Sequence, residues 1–96
     1  MPGEWDNKVV MITGANGGLG RGVVQRFYEA GANLALVTRS AGDANGIVPD
    51  RFFGVSADVS DKASVQNAVD QIAAHYGRID ALVHTVGGYA FGKALD

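Results

Sequence analysis

The sequence predicts an α/β fold, a truncated doubly wound parallel sheet of about four strands in the order 3-2-1-4 with two main helices. Three features predict it. Short unbroken apolar runs, the pattern of strands buried on both faces, recur along the chain. Between them lie stretches whose apolar residues follow helical spacing. A glycine-rich segment, Thr13 to Gly20, joins the first run to the first of those stretches.

Taken in order, Lys8–Ile12 is the first buried strand and ends abruptly in Thr13-Gly-Ala-Asn-Gly-Gly-Leu-Gly20. Leu19, Val23, Val24, Phe27 and Ala30 then recur at helical spacing, and Gly31 stands where a left-handed C′ residue closes a helix. Leu34–Val37 is the second strand, completing a βαβ unit with a parallel pair. Ser40–Gly46 and Pro49-Asp50 are rich in turn formers and read as a loop with room for one helical turn. Phe52–Ala57 resumes a strand. Ser60 is the expected cap of a second helix whose first turn holds Asp61, with an apolar stripe of Val65, Ala68, Val69, Ile72, Ala73 and Tyr76 and an end at Gly77. Ile79–His84 is the fourth strand, and Gly87-Gly88 opens a tail containing Tyr89, Phe91 and Leu95.

Composition narrows the possible functions. At 96 residues the chain is read as a single domain, 1–96, with 47% apolar and 19% charged residues, an ordinary globular balance. A formal net charge of −2, with Lys and Arg scattered and forming no stripe, argues against a nucleic-acid partner. Cysteine is absent, so thiolate metal sites and disulfides are excluded, and His75 and His84 alone make a poor metal set; no metal site is expected. No apolar stretch approaches the roughly 18 residues of a membrane span, and no signal core precedes the first strand, so no membrane partner and a cytoplasmic location are expected.

The chemistry resides in Thr13-Gly14-x-x-x-Gly18-x-Gly20, set between a buried strand and an amphipathic helix. Gly14 lets the chain turn tightly off the strand. Gly18 lets the backbone approach a pyrophosphate with no Cβ in the way, and Gly20 removes bulk where helix and sheet touch. The unpaired N–H groups of the helix start then face the anion, aided by the helix dipole. The expected dinucleotide turn comprises Gly14, Asn16, Gly17, Gly18, Leu19 and Gly20.

With these residues the chain resembles the classical short-chain dehydrogenase/reductase family, whose Rossmann-type signature is Thr-Gly, three residues, then Gly-x-Gly. The similarity runs over nearly the whole chain. In that family an Asp-Val pair after the third strand lies near the adenine, which implies the same role for Asp58 and Val59. The family's fourth strand ends in Asn-Asn-Ala-Gly; here the residues are His84-Thr85-Val86-Gly87, and only the glycine is kept. The resemblance therefore implies backbone contacts to the adenosine ribose at Val86 and Gly87, while the asparagine side-chain bonds do not carry over residue by residue.

Cofactor choice turns on the end of the second strand. An NAD site places Asp or Glu there, on the ribose 2′-hydroxyl. This chain has Thr38-Arg39, and its next acid is Asp43 in the loop. Arg39 suits a 2′-phosphate, with Thr38 as a hydroxyl partner, and the pair resembles the family's NADP-preferring pattern. NADP is expected, with NAD as the alternative.

The family transfers its proton through Ser, Tyr and Lys, the last two as Tyr-x-x-x-Lys on a helix after a fifth strand. The lysine lowers the tyrosine pKa, and both must share one helix face. That segment is expected to be absent, so no catalytic residue is assigned. Tyr89-Ala-Phe-Gly-Lys93 has the spacing but follows Gly87-Gly88 in a region expected to be loop, and is read as coincidence. His84 is read as a hydrogen-bonded filler and His75 as an exposed residue favoured by the helix C-terminus. Trp5 is expected to cover the sheet edge, and Asp58 and Asp61 are read as cofactor floor and helix start. An exposed fourth strand predicts a homo-oligomer, most simply a dimer pairing along that edge. The functional expectation is an NADP(H)-binding half-domain that is not catalytic alone. Two alternatives remain: the N-terminal fragment of a full short-chain oxidoreductase, or a ligand-free structural protein that oligomerises.

Overall fold

A computed structural model describes residues 4–86 and 89–95, the last segment by its backbone alone. The elements run β1 (Val9–Thr13), α1 (Gly18–Glu29), β2 (Asn33–Thr38), a single 3-10 turn (Ala41–Ala44), β3 (Phe52–Ser56), α2 (Lys62–Tyr76), β4 (Ala81–Val86) and β5 (Tyr89–Leu95). The sheet order is β3-β2-β1-β4-β5. The first four strands are parallel and follow the expected 3-2-1-4 order. Their registers align Thr13 with Val37 and His84, and Thr38 with Ser56, so the C-terminal strand ends lie side by side.

Alternation along β1 divides the core. Val10 and Ile12 join Leu34, Leu36 and Val83 under α1, which contributes Val24, with Val23 and Phe27 packed at the margin. Val9 and Met11 join Ala35, Val37 and Val55 under α2, which contributes Ala68 and Ile72. The strands are therefore apolar on both faces because each face meets a helix. Fully burying one such Val, Leu or Ile is worth roughly 1.5–3 kcal/mol.

Four sequence expectations change in detail. The cap of α2 is Asp61, whose Oδ1 accepts from the Ala63 N–H at 3.0 Å, whereas Ser60 bonds to Asp58. Both residue types cap well, and the carboxylate one position later meets the helix amide. Trp5 covers α1, not the sheet edge: its ring meets Phe27 edge-on at 5.1 Å, and its main-chain N–H donates to the Ala30 carbonyl. Leu19, counted in the helical apolar stripe, is 47% exposed. Most consequentially, β4 is not an edge. β5 pairs with it antiparallel, Val86 against Tyr89 and Leu82 against Leu95, with a bulge between Leu82 and His84. The expected dimer pairing along β4 thus loses its premise, since those N–H and C=O groups are already used.

Tyr89 and Lys93 both lie in β5, in extended chain. Four residues of strand set their Cα atoms roughly 13 Å apart, so the one-turn spacing that the proton-transfer pair needs is not met.

The loop after β2 is fastened at its far end. Arg51 donates to the Ala32 carbonyl at 2.8 Å and the Tyr28 carbonyl at 2.9 Å, and its guanidinium lies 4.0 Å from the Tyr28 ring centroid. A cation at the last carbonyls of α1 suits the helix dipole. Ala44 and Val48 from the same loop are buried in the α1-side core, so the loop packs as part of the domain.

Asp80 ties the start of β4 to the start of β1. Its Oδ2 accepts from the Val9 N–H at 2.7 Å, and its own N–H donates to the Val9 carbonyl at 2.8 Å. Hydrogen bonding from Arg78 and then from Val9 holds the Asp80 carboxyl below the ordinary Asp value of 3.8. A depressed folded-state pKa means stabilisation that is full above the unfolded-state value and lost as pH falls through the folded one. Asp80→Ala leaves the buried Val9 N–H without its acceptor. Urea unfolding at pH 7 is expected to show a loss of about 1–3 kcal/mol. The gap to the parent narrows as pH falls below about 4, where the unfolded chain's carboxyl takes up its proton, and goes on narrowing until pH has passed the lowered folded-state value.

Candidate functional site

The C-terminal ends of the parallel strands form the site, around the crevice where strand order reverses between β1 and β4. Thr13 ends β1, and the chain turns through Gly14 at φ +64, a conformation that glycine adopts without strain. A Cβ at Gly14 would meet the Thr85 carbonyl oxygen at 2.0 Å, and one at Gly20 would meet the Gly14 carbonyl oxygen at 2.0 Å. Gly20 is thus required by the turn itself, where helix–sheet contact was expected. Gly18 is different: a Cβ there would meet nothing within 4 Å, so its missing side chain leaves open space at the helix start.

Helix α1 begins with Gly17 as its N-cap, with no side-chain cap and no acidic residue in the first turn. Among the described residues, no side-chain acceptor reaches the N–H groups of Gly18, Leu19 or Gly20. These donors and the positive end of the helix dipole are left for water or an anion. Asn16, Gly17, Gly18 and Leu19 are all exposed around them.

Thr85 holds the turn in place, a role the sequence reading did not assign. Its hydroxyl donates to the Thr13 carbonyl at 2.5 Å and lies 3.2 Å from the Gly14 carbonyl oxygen, while its N–H donates to Thr13 Oγ1 at 3.2 Å. Thr13 Oγ1 also pairs with His84 Nδ1 at 2.8 Å, which makes His84 the hydrogen-bonded filler that was expected. The available signal was a pair of polar residues closing an otherwise apolar strand, His84-Thr85, where the family carries asparagines.

The end of β2 separates the two residues expected to select the cofactor. Thr38 is buried at 3% exposure and donates its hydroxyl proton to the Ser40 carbonyl. That bond fastens the turn that follows β2. Arg39 is exposed. Asp58, past the end of β3, is exposed too. Hydrogen bonds from the Ser60 hydroxyl and N–H lower its pKa, and the charge of Arg39 adds to the effect. Val59 is half-buried beside it. Val86 is described as a strand residue only, and Gly87 lies outside the described residues.

A family model described as short chain dehydrogenase matches residues 8–96. The chain belongs to the short chain dehydrogenase family. Among its relatives, it is 36% identical to meso-2,3-butanediol dehydrogenase of Serratia marcescens, the match covering 97% of this chain and 39% of the relative. It is 40% identical to D-threitol dehydrogenase of Mycolicibacterium smegmatis, with 85% of this chain and 34% of the relative covered. Among solved structures, 3-ketoacyl-(acyl-carrier-protein) reductase from Brucella melitensis, complexed with NADH, superposes with a TM-score of 0.73 at 35% identity, covering 80% of this chain and 33% of that one. The chain therefore spans between a third and two-fifths of the length of these relatives. Among the described residues of this short chain dehydrogenase sequence, no helix is long and apolar enough to cross a membrane.

The glycines give a direct test of this geometry. Gly14→Ala meets both a left-handed φ and a backbone oxygen, and is expected to cost about 2–4 kcal/mol in thermal unfolding. Gly18→Ala meets neither and is expected to be neutral or stabilising by up to about 1 kcal/mol. Thr85→Val removes the hydroxyl that serves the Thr13 and Gly14 carbonyls, with an expected loss of about 1–2 kcal/mol.

Proposed function

We propose that this chain binds NADP(H) through the turn between β1 and α1, as the nucleotide-binding portion of a short-chain oxidoreductase, and is not catalytic by itself. One observation carries the reading: the open space at Gly18 beside uncapped amides at the start of α1. A diphosphate fits that corner because its charge meets the helix dipole and its oxygens meet N–H donors that lack side-chain partners. Gly17, Gly18, Leu19 and Gly20 would hold the diphosphate, with Leu19 shielding it from one side. Arg39 would hold the 2′-phosphate, Asp58 and Val59 would border the adenine, and the backbone at Val86 and Gly87 would border the adenosine ribose.

When bound, the nicotinamide supplies hydride chemistry. The residues of this chain bind and orient it, and the proton-transfer groups are assigned to none of them. Coverage of 39% and 34% of the two dehydrogenases favours the reading in which this chain is the cofactor-binding part of a longer oxidoreductase over a ligand-free structural protein.

NADP is preferred over NAD because the residue that would face the ribose is a cation. Calorimetric titration checks this. Arg39→Ala is expected to weaken NADPH binding by about tenfold or more, the worth of lost charge-assisted hydrogen bonds, and to leave NADH binding nearly unchanged. Equal loss for both cofactors removes the 2′-phosphate assignment. In the same assay Gly18→Val is expected to abolish ADP binding while far-UV circular dichroism stays that of the parent; retained affinity removes the diphosphate site.

A further inference from the structure

The turn contains a chemical feature that its nucleotide-binding role does not require. Asn16 is followed by Gly17, both are exposed, and glycine offers no side chain to obstruct its own nitrogen. An Asn-Gly pair can modify itself. The Gly17 nitrogen, after losing its proton to solvent, attacks Cγ of Asn16. The N–Cγ bond forms, the Cγ–Nδ2 bond breaks, and ammonia leaves with a proton drawn from solvent. Water then opens the cyclic imide at either carbonyl, leaving aspartate or isoaspartate.

We propose that Asn16-Gly17 is a spontaneous deamidation site whose conversion disables the nucleotide turn, and that bound dinucleotide protects it. The consequence for binding rests on the dinucleotide reading above; the covalent step does not. Two contacts set its rate in opposite directions. Arg21 Nε donates to the Asn16 main-chain carbonyl at 3.2 Å, so a cation sits on the peptide group that carries negative charge once the Gly17 nitrogen loses its proton. Against this, the Gly17 N–H donates to the Gly14 carbonyl at 3.1 Å, and that bond must break first.

The chain carries its own comparison. Asn45-Gly46 is a second exposed pair, in the loop after the 3-10 turn, and among the described residues the Gly46 N–H makes no hydrogen bond. Asn45 therefore converts ahead of Asn16 and stands outside the turn.

The effect of conversion follows from position. Asn16 immediately precedes the N-cap Gly17, so aspartate there places a carboxylate at the positive end of α1. That charge is favourable for the empty helix and repels a diphosphate approaching the same amides. Isoaspartate also routes the main chain through Cβ and spoils the spacing of the turn.

The test is ageing of the chain in mildly alkaline buffer, with and without saturating ADP, followed by peptide mass mapping and ADP titration of the same samples. ADP lacks the 2′-phosphate, so the readout does not depend on the contact proposed for Arg39. Conversion is expected at Asn45 first and Asn16 second, with ADP slowing Asn16 alone and affinity falling in step with Asn16. Asn16→Asp is expected to weaken ADP binding by about tenfold, the order set by close like charges, with unchanged circular dichroism. Asn45→Asp is expected to bind as the parent does. An Asn16 amide that survives while Asn45 goes to completion overturns the modification. Converted Asn16 with undiminished ADP affinity overturns its consequence. Fresh chain that converts at Asn16 yet never binds ADP overturns the dinucleotide reading and leaves the covalent step standing.

Discussion

The arrangement depends on a lack of space where β1 gives way to α1. Three segments distant in sequence meet there: Thr13-Gly14, Gly20 and Thr85. Backbone packs directly on backbone, with distances from an imagined Cβ as short as 2.0 Å at two of the glycines, so no L side chain is accommodated. The Thr85 hydroxyl donates to the Thr13 carbonyl and lies against the Gly14 carbonyl, which also accepts from the Gly17 N–H. Once that corner closes, the start of α1 is held at the C-terminal edge of the sheet, and Val24 and Phe27 fall over Val10, Ile12 and Leu34. The corner and the α1-side core are one construction.

Most of the fold was legible because strands buried on both faces leave a strong signal. The runs at β1 and β2 are continuous and apolar, β4 opens with Ala81-Leu82-Val83, the helices show their period, and Gly31 and Gly77 sit at positive φ where helix ends were expected. What escaped was non-local. Nothing in Tyr89–Leu95, with its two preceding glycines, distinguishes a returning strand from a tail, because pairing depends on the partner edge more than on propensity. Trp5 could not be placed for the same reason: its neighbour, Phe27, is reached only after the βαβ unit has folded.

The site was legible in unequal parts. Glycine positions are readable because the geometry that needs them is local, and Gly14 and Gly18 occupy the environments that their spacing suggested. Side-chain roles at strand ends are harder. Thr38 and Arg39 are adjacent, yet one is buried with its proton spent on Ser40 and the other is in solvent. Thr38 is the last residue of a strand buried from Leu34 onward and Arg39 the first residue beyond it, and a turn immediately after the strand decides what the buried one bonds to.

This difference divides the proposed site into two kinds of machinery. The anion grip is made of backbone amides whose position follows from buried contacts that tolerate no substitution, so it changes only when the fold changes. The proposed selecting end rests on Arg39, an exposed side chain whose charge adds to the lowering of the pKa of the exposed Asp58. Asp58 is held by bonds to Ser60 and Ser64, and solvent screens both charges. On the proposed reading, affinity at the diphosphate end would derive from rigidity, and discrimination at the ribose end from a modest electrostatic difference that single substitutions could reset without disturbing the core.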